Sequence, residues 1–89
     1  MYYVYVLISL VDYNFYVGFT SDLKARIKAH KEGRVFSTKG RLPVKIIFYE
    51  AYLSRDDALR REHYLKSGKG RTTLRTMLSE CLSAIEKQK

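Results

Sequence analysis

Residues 2–19 read YYVYVLISLVDYNFYVGF. Two runs of aromatic and aliphatic residues, 2–9 and 15–19, flank the short polar stretch Asp12-Tyr13-Asn14. Because β-branched and aromatic residues favour strands and a short polar stretch favours a turn, this pattern predicts a β-hairpin. The first run is apolar at nearly every position, which is typical of a strand that is covered on both faces.

Helix start and stop signals divide the segment that follows the hairpin. The N-cap residues at 20–22 and a natural stop at Gly33 predict a helix over 22–32. Residues 33–43 contain two glycines and the proline, so they are expected to form a loop. Val44 to Tyr52 is again rich in strand-forming residues and predicts a third strand.

Two further helices are expected in the C-terminal part. Ser54 with Asp57 three residues later resembles a capping box, and Gly68 suggests an end, which predicts a helix over 55–67. Beyond it, apolar residues recur at helical spacing over 74–85, and this stripe is interpreted as core rather than as a partner-binding face. Its members are Leu74, Met77, Leu78, Cys81, Leu82 and Ile85. The order β-β-α-β-α-α predicts one α/β-type (α+β) domain over 1–89, with a three-stranded mixed β-sheet flanked by helices.

The bulk composition narrows the classes of function. The chain has 89 residues, a net charge of +8 and 46% hydrophobic residues, so we expect a folded domain whose field attracts polyanions, nucleic acid first. The single Cys81 excludes an internal disulfide and a cysteine-based zinc site. No apolar run is long enough to span a bilayer and no signal peptide is visible, so we expect a cytoplasmic protein without a membrane partner.

Glu62 is the first candidate for chemistry. Ala58, Leu59 and Leu65 share its face of the helix predicted over 55–67, and a carboxylate on an apolar face is costly unless it is paired or binds a metal. Two explanations stay open from the residues alone. Glu62 forms an ion pair with an arginine such as Arg26, or it holds a hard cation such as Mg²⁺.

Arg26 and His30 lie one helical turn apart and flank apolar neighbours, so they are expected to project together. An arginine is suited to bind a phosphate whose negative charge grows in a transition state. A histidine in this setting acts in catalysis or is a hydrogen-bonded core residue, and both readings stay open. Because there is no second histidine cluster, we do not expect a histidine-based zinc site.

Eight tyrosines and no tryptophan are unusual for a chain of this length. Tyr3 and Tyr5 alternate onto one face of the first strand, and Tyr16 comes from its hairpin partner. They form an aromatic ladder that stabilises the sheet, or one of them takes part in proton transfer. A phenol is a poor base at neutral pH unless cations nearby stabilise the phenolate, and Arg26 with a metal ion could supply them.

Two basic segments that contain glycine have similar sequences, Ser37-Thr38-Lys39-Gly40-Arg41 and Ser67-Gly68-Lys69-Gly70-Arg71. As loops with free backbone N–H groups and paired cations they would suit contact with a phosphate backbone. As ordinary turns they would only carry solvated charges.

Taken together, these positions resemble the GIY-YIG nuclease superfamily, and most closely its small stand-alone bacterial members. Tyr3-Val4-Tyr5 takes the place of the first motif and Tyr16-Val17-Gly18 the second. The family's helix motif and its metal-binding glutamate fit Thr20, Leu23, Arg26, His30 and Glu62, followed by Leu65 and Lys66. The first motif departs from the family name at Tyr3. Relatives in excision repair carry an asparagine where this chain has Thr72, Thr73 and Leu74.

The resemblance implies a metal-dependent endonuclease that hydrolyses DNA phosphodiester bonds, structure-selective and with little sequence specificity. It implies that Glu62 binds one Mg²⁺ or Mn²⁺, that Arg26 stabilises the pentacovalent phosphate, and that Tyr5 rather than Tyr16 is the general base. His30 would support that tyrosine. The DNA backbone would be held by Lys39, Arg41, Lys66, Lys69 and Arg71.

Two alternatives belong to other classes of function. The chain could be a nucleic-acid-binding module that keeps the fold without catalysis, or a subunit that docks through the 74–85 stripe. Relatives with a known target carry an additional DNA-binding module, so a protein partner that supplies targeting is an open expectation. A monomer is the favoured oligomeric state.

Overall fold

The architecture comes from a computed structural model that describes residues 1–88; residue 89, the last of the expected domain, lies outside the described residues. The elements are β1 Tyr2–Ser9, β2 Phe15–Thr20, α1 Leu23–Lys31, β3 Val44–Tyr52, α2 Arg55–Lys66, α3 Gly68–Met77 and α4 Ser79–Glu86. The predicted α+β fold is confirmed, with one helix more than the sequence suggested.

The sheet has the order β2-β1-β3, with β1 in the centre. Both neighbours run antiparallel to β1, so Tyr5 lies opposite Gly18 on one side and opposite Tyr49 on the other. The expectation of a mixed sheet is therefore wrong. The connection from β2 to β3 crosses over and leaves these two strands parallel to each other, but β1 lies between them and no parallel pair forms.

The sheet is covered on both faces, as the apolar run in β1 predicted. Val4, Val6 and Ile8 face a core that is completed by buried residues of α2, α3 and α4: Ala58, Leu65, Leu74 and Ile85. Tyr5 and Leu7 point to the opposite face, where Leu23 and Ile27 of α1 pack against them. The helices thus lie three on one side and one on the other.

The caps of α1 and α2 follow the signals in the sequence. The Asp22 side chain accepts a hydrogen bond from the Ala25 N–H, and Gly33 follows the end of α1 with a positive φ of 75°. The Ser54 hydroxyl accepts a hydrogen bond from the Asp57 N–H at the start of α2. These local interactions explain why the predicted bounds of both helices agree with the structure to within one residue.

Gly68 to Arg71 form the first turn of α3, so the expectation of a second basic loop at Ser67-Gly68-Lys69-Gly70-Arg71 is wrong. Ser67 ends α2 and also caps α3, where its hydroxyl accepts from the Gly70 N–H. A Cβ at residue 70 would overlap the Tyr64 carbonyl oxygen, so glycine lets the first turn of α3 approach the end of α2. The backbone N–H groups of Gly70 and Arg71 are used inside this cap and do not face a ligand.

The apolar stripe over 74–85 is divided between two helices. Leu78 has φ −108° and ψ 22°, outside the helical region, although its N–H still bonds to the Leu74 carbonyl. Leu74 and Ile85 are buried and Leu78 packs against the same core, which agrees with the core interpretation of the stripe. Met77, the last residue of α3, does not agree with it, since its side chain is 47% exposed.

Among the described residues, no helix combines the length and the apolar composition that crossing a bilayer requires.

Candidate active site

Tyr5 lies directly over Gly18 of the neighbouring strand. The two residues are register partners, and a Cβ at residue 18 would overlap the Tyr5 hydroxyl oxygen and ring. The third residue of the triplet Tyr16-Val17-Gly18 is therefore a glycine because the phenol of Tyr5 occupies the space that a side chain would fill. Tyr5 itself is only 2% exposed.

A chain of three hydrogen bonds links Tyr5 to α1 and to the loop 33–43. The Arg26 Nε–H donates to the Tyr5 hydroxyl oxygen at 3.3 Å, and that oxygen lies 2.8 Å from Nε2 of His30. On the far side of the ring, Nδ1 of His30 lies 2.8 Å from the Thr38 hydroxyl oxygen. Because Arg26 and His30 are four residues apart on α1, both reach the same phenol.

The direction of these hydrogen bonds follows from counting donors. Thr38 is fully buried, and among the described residues its hydroxyl has one hydrogen-bond partner, Nδ1 of His30. If the hydroxyl donates to Nδ1, then Nε2 carries the ring proton and donates to Tyr5. The one proton left without a partner is then that of Tyr5, at a cleft open to water. The opposite arrangement would leave it on Thr38 in the interior, where an unpaired donor costs more.

His30 is held in its neutral form. Burial lowers the pKa of the imidazole below its usual range, and the positive charge of Arg26 lowers the pKa further. Its 3% exposure agrees with this. The sequence left open whether His30 belongs to the core or to a site, and the structure shows a buried histidine that contacts the hydroxyl at the cleft wall.

Glu62 reaches the same cleft from the opposite face of the sheet, on α2. Its side chain is 20% exposed and lies 3.1 Å from Nζ of Lys66, one helical turn further on. The ion pair with Arg26 that the sequence allowed does not form. Glu62 is paired with a flexible lysine at the rim instead, and a surface pair of this kind contributes little to stability.

Tyr16 has a different environment from Tyr5. Its hydroxyl donates to Oδ2 of Asp12 at 3.1 Å, and the same oxygen pairs with Nε of Arg41. A backbone hydrogen bond from Asn14 is the main reason that the pKa of Asp12 lies below its usual value. The proton of Tyr16 is therefore held by a carboxylate, whereas Tyr5 accepts hydrogen bonds from two donors.

The cleft that these side chains share has a volume of about 470 Å³. The sequence predicted that Arg26 projects beside apolar neighbours, but the residue is exposed and its Nε contacts the Tyr5 hydroxyl. The site residues on the cleft wall are Tyr5, Tyr16, Arg26, His30, Glu62, Lys66 and Arg71.

The remaining residues expected to bind nucleic acid lie outside the cleft. Lys39 packs over the ring of Phe36, with 5.3 Å from Nζ to the ring centre, and Arg41 is paired with Asp12. Lys69 lies exposed in the first turn of α3. These three cations have separate environments and do not form a common anion-binding loop.

Thr38 and Asp12 are the two contributors to this arrangement that the sequence did not single out. Thr38 was visible only as one hydroxyl in a loop, and nothing local distinguishes it from its neighbour Ser37. Asp12 was assigned to a turn, and its bond to Tyr16 depends on the hairpin register. Asp12 is four residues from Tyr16 and Thr38 is eight residues from His30, and neither pair lies within one helix or strand whose repeat would have predicted the contact.

The side chains at the cleft could hold a divalent cation only if water and substrate supply most of its ligands. Within residues 1–88 no three histidine, cysteine, aspartate or glutamate side chains converge, so the protein offers no complete coordination shell. Mg²⁺ is commonly held by one or two carboxylates with water and substrate phosphate completing the shell. Glu62 at the rim of an open cleft meets that requirement.

Comparison with known proteins assigns the family. The family model of the GIY-YIG catalytic domain matches residues 1–75. The chain belongs to the GIY-YIG family. All site residues described above lie inside the matched range, whereas α4 lies beyond it.

Relatives of similar length match this chain over most of their own sequence. The chain is 42% identical over 66 residues to a UPF0213 protein from Lacticaseibacillus paracasei, covering 73% of each chain. It is 42% identical over 67 residues to one from Clostridium perfringens, covering 74% of this chain and 71% of the relative. The solution NMR structure of a UPF0213 protein from Bacillus halodurans aligns with a TM-score of 0.55 at 33% identity, covering 86% of this chain and 85% of that one. Membership in the GIY-YIG family indicates a nuclease-type domain.

Proposed function

We propose that the protein is a metal-dependent endonuclease that hydrolyses phosphodiester bonds in DNA. The observation that carries this proposal is the meeting of Tyr5, Arg26, His30 and Glu62 in one cleft. These residues come from β1, α1 and α2, so their convergence depends on the whole fold and not on one local motif.

Arg26 is suited to bind the scissile phosphate. Its Nε–H is used on the Tyr5 hydroxyl, which fixes the guanidinium at the cleft wall. The two terminal nitrogens remain available for phosphate oxygens, whose negative charge grows in the transition state. Lys66 and Arg71 on the same wall add positive charge that favours the DNA backbone.

Tyr5 is suited to take the proton of the attacking water. Its oxygen lies within hydrogen-bond distance of Arg26 and His30, and two donors stabilise the phenolate that this role requires. His30 keeps its orientation through Thr38 on the other side of the ring. Tyr16 donates its proton to Asp12 and is less suited to act as the base.

Glu62 would hold one Mg²⁺ or Mn²⁺, which when bound neutralises charge on the phosphate and the leaving oxygen. Lys66 would then leave the carboxylate and turn toward the substrate. All four helices within residues 1–88 contribute side chains to the two cores, so we expect selection by the shape or flexibility of the DNA and little sequence specificity.

The Glu62–Lys66 ion pair also supports a second candidate, a nucleic-acid-binding module without catalysis. A carboxylate that is already paired at 3.1 Å does not need a metal for its charge balance. This alternative keeps the basic surface and the fold but predicts no product that depends on Glu62. A protein partner that supplies targeting is compatible with either candidate.

The decisive experiment compares cleavage of duplex, flapped and branched DNA by the wild type and Glu62→Ala, with Mg²⁺ or Mn²⁺ and with EDTA. Glu80→Ala is the matched control, since Glu80 is an exposed glutamate on α4 away from the cleft. We expect cleavage to vanish in EDTA and in Glu62→Ala, to persist in Glu80→Ala, and DNA binding to survive in both variants. Cleavage by Glu62→Ala at the wild-type rate would refute the proposal. Binding without any cleavage by the wild type would favour the binding module.

A further inference from the structure

We infer that a second groove, between α1 and the edge strand β3, binds a single-stranded segment of the DNA substrate. The inference rests on the proposed nuclease function for the identity of that substrate. The groove has a volume of about 880 Å³ and lies on the same face of the sheet as Tyr5, on the other flank of α1. Neither the family assignment nor the cleft chemistry requires it.

Two tyrosine rings form one wall of the groove. Tyr3 and Tyr49 pack edge to face, with ring centres 6.3 Å apart and planes at 60°. Tyr49 is 56% exposed, although it lies in the middle of a strand. Ile27 and Ile46 line the same groove between the tyrosines and the helix. An exposed ring beside an apolar floor is the surface on which an unpaired base stacks.

Three lysines of α1 form the opposite wall. Lys24, Lys28 and Lys31 recur at helical spacing, all are exposed, and all line the groove. Within the part of the chain that the structure describes, none of them forms an ion pair. Their positive charges run parallel to the tyrosine wall, so a phosphate backbone can follow the helix while its bases face the rings.

The two acidic residues at the groove are engaged elsewhere. Asp22 uses its carboxylate to cap α1, accepting from the Ala25 N–H. Glu32 accepts two hydrogen bonds from the Arg34 guanidinium. Three lysines face these two carboxylates, one of which is paired with Arg34, so the net charge of the groove is positive and favours a polyanionic strand over a basic peptide.

The position of α1 connects the two sites. Arg26 and His30 project from one flank of the helix into the cleft, and the three lysines project from the other flank into the groove. A helix is about 10 Å across with its side chains, so one strand of DNA can pass from the cleft over α1 to the groove. Bases in an intact duplex are stacked on each other and cannot use the tyrosine wall, so the groove selects substrates with an unpaired strand beside the scissile phosphate.

The test measures binding in EDTA, where no cleavage occurs, by fluorescence anisotropy with a labelled single-stranded oligonucleotide and with a duplex of the same length. Tyr49→Ala removes the exposed ring and Tyr49→Phe keeps it. Leu53→Ala is the matched control, since Leu53 is an apolar side chain just beyond β3 that is 87% exposed. A Lys24→Gln/Lys28→Gln/Lys31→Gln variant tests the opposite wall.

We expect Tyr49→Ala to weaken single-strand binding by about 5- to 150-fold, the effect of losing one base–aromatic stack. Tyr49→Phe and Leu53→Ala should stay within about twofold of the wild type, and duplex binding by Tyr49→Ala should be unchanged. The triple lysine variant should bind the single strand more weakly and with a smaller salt dependence. Wild-type single-strand affinity in Tyr49→Ala would overturn the inference. So would an equal loss in Tyr49→Phe, or an equal loss of duplex binding. All these results are independent of whether the protein cleaves DNA.

Discussion

Replacing Thr38 by valine tests the hydrogen-bond chain behind Tyr5 without touching the cleft. Valine keeps the shape of threonine but removes the hydroxyl, so Nδ1 of His30 loses its partner in a fully buried position. Leaving one buried polar group unpaired costs about 1–3 kcal/mol. For a chain of this size each kcal/mol corresponds to about 4–8 °C, so Tm should fall by about 4–24 °C.

Thermal unfolding followed by circular dichroism in EDTA measures this effect, and Thr38→Ser is the matched variant because it keeps the hydroxyl and loses the methyl. We expect Thr38→Ser to be the more stable of the two. A Tm for Thr38→Val at or above that of Thr38→Ser would refute the reasoning, since packing would then outweigh the hydrogen bond. Nitrogen NMR of the imidazole gives a direct check: the wild type should carry its proton on Nε2, and a proton on Nδ1 would contradict the assigned direction.

The remaining predictions concern the space under Tyr5 and the charge of His30. Gly18→Ala should destabilise the fold by about 1–3 kcal/mol, because the added methyl overlaps the Tyr5 phenol. Gly40→Ala is the control and should change the stability little, because a Cβ there meets nothing within 4 Å. Urea denaturation measures both variants, and an equal loss of stability in the two would contradict the role of Tyr5. The pKa of His30 is lower in the folded protein than in the unfolded chain, so the unfolded chain binds more protons once the pH falls below about 6.5. The free energy of unfolding should therefore decrease as the pH is lowered from about 6.5 to the folded-state pKa. His30→Asn should flatten this decline in unfolding measured between pH 7.5 and 5, and an unchanged slope would show that other groups cause it.

The sequence predicted best those parts of the fold that depend on local signals. The hairpin, the caps of α1 and the bounds of β3 follow from strand propensity, from Asp22 and from Gly33, and all three agree with the structure. Helix spacing also predicted that Arg26 and His30 project together, whereas a shared site with Tyr5 and Glu62 was implied only by the family resemblance.

The parts that were not predicted lie where two local signals compete. Gly68 was interpreted as the end of one helix, whereas Ser67 beside it caps the next helix through the Gly70 N–H. The apolar stripe looked continuous because its spacing is preserved across the turn at Leu78. For Glu62 the sequence analysis named Arg26 as a possible ion-pair partner and overlooked Lys66, although Lys66 lies one turn further on in the same helix.

The shared cap at Ser67 makes the junction of α2 and α3 intolerant of changes in length. A single inserted residue would separate the Ser67 hydroxyl from the Tyr64 carbonyl or from the Gly70 N–H, and so change the direction in which α3 leaves α2. Arg71 would then leave the cleft wall that it shares with Glu62, even though every side chain of both helices was retained. Substitutions along these helices can accumulate one at a time, whereas an insertion or deletion at Ser67 alters the site in one step. Length variation is therefore expected to be rare at this junction.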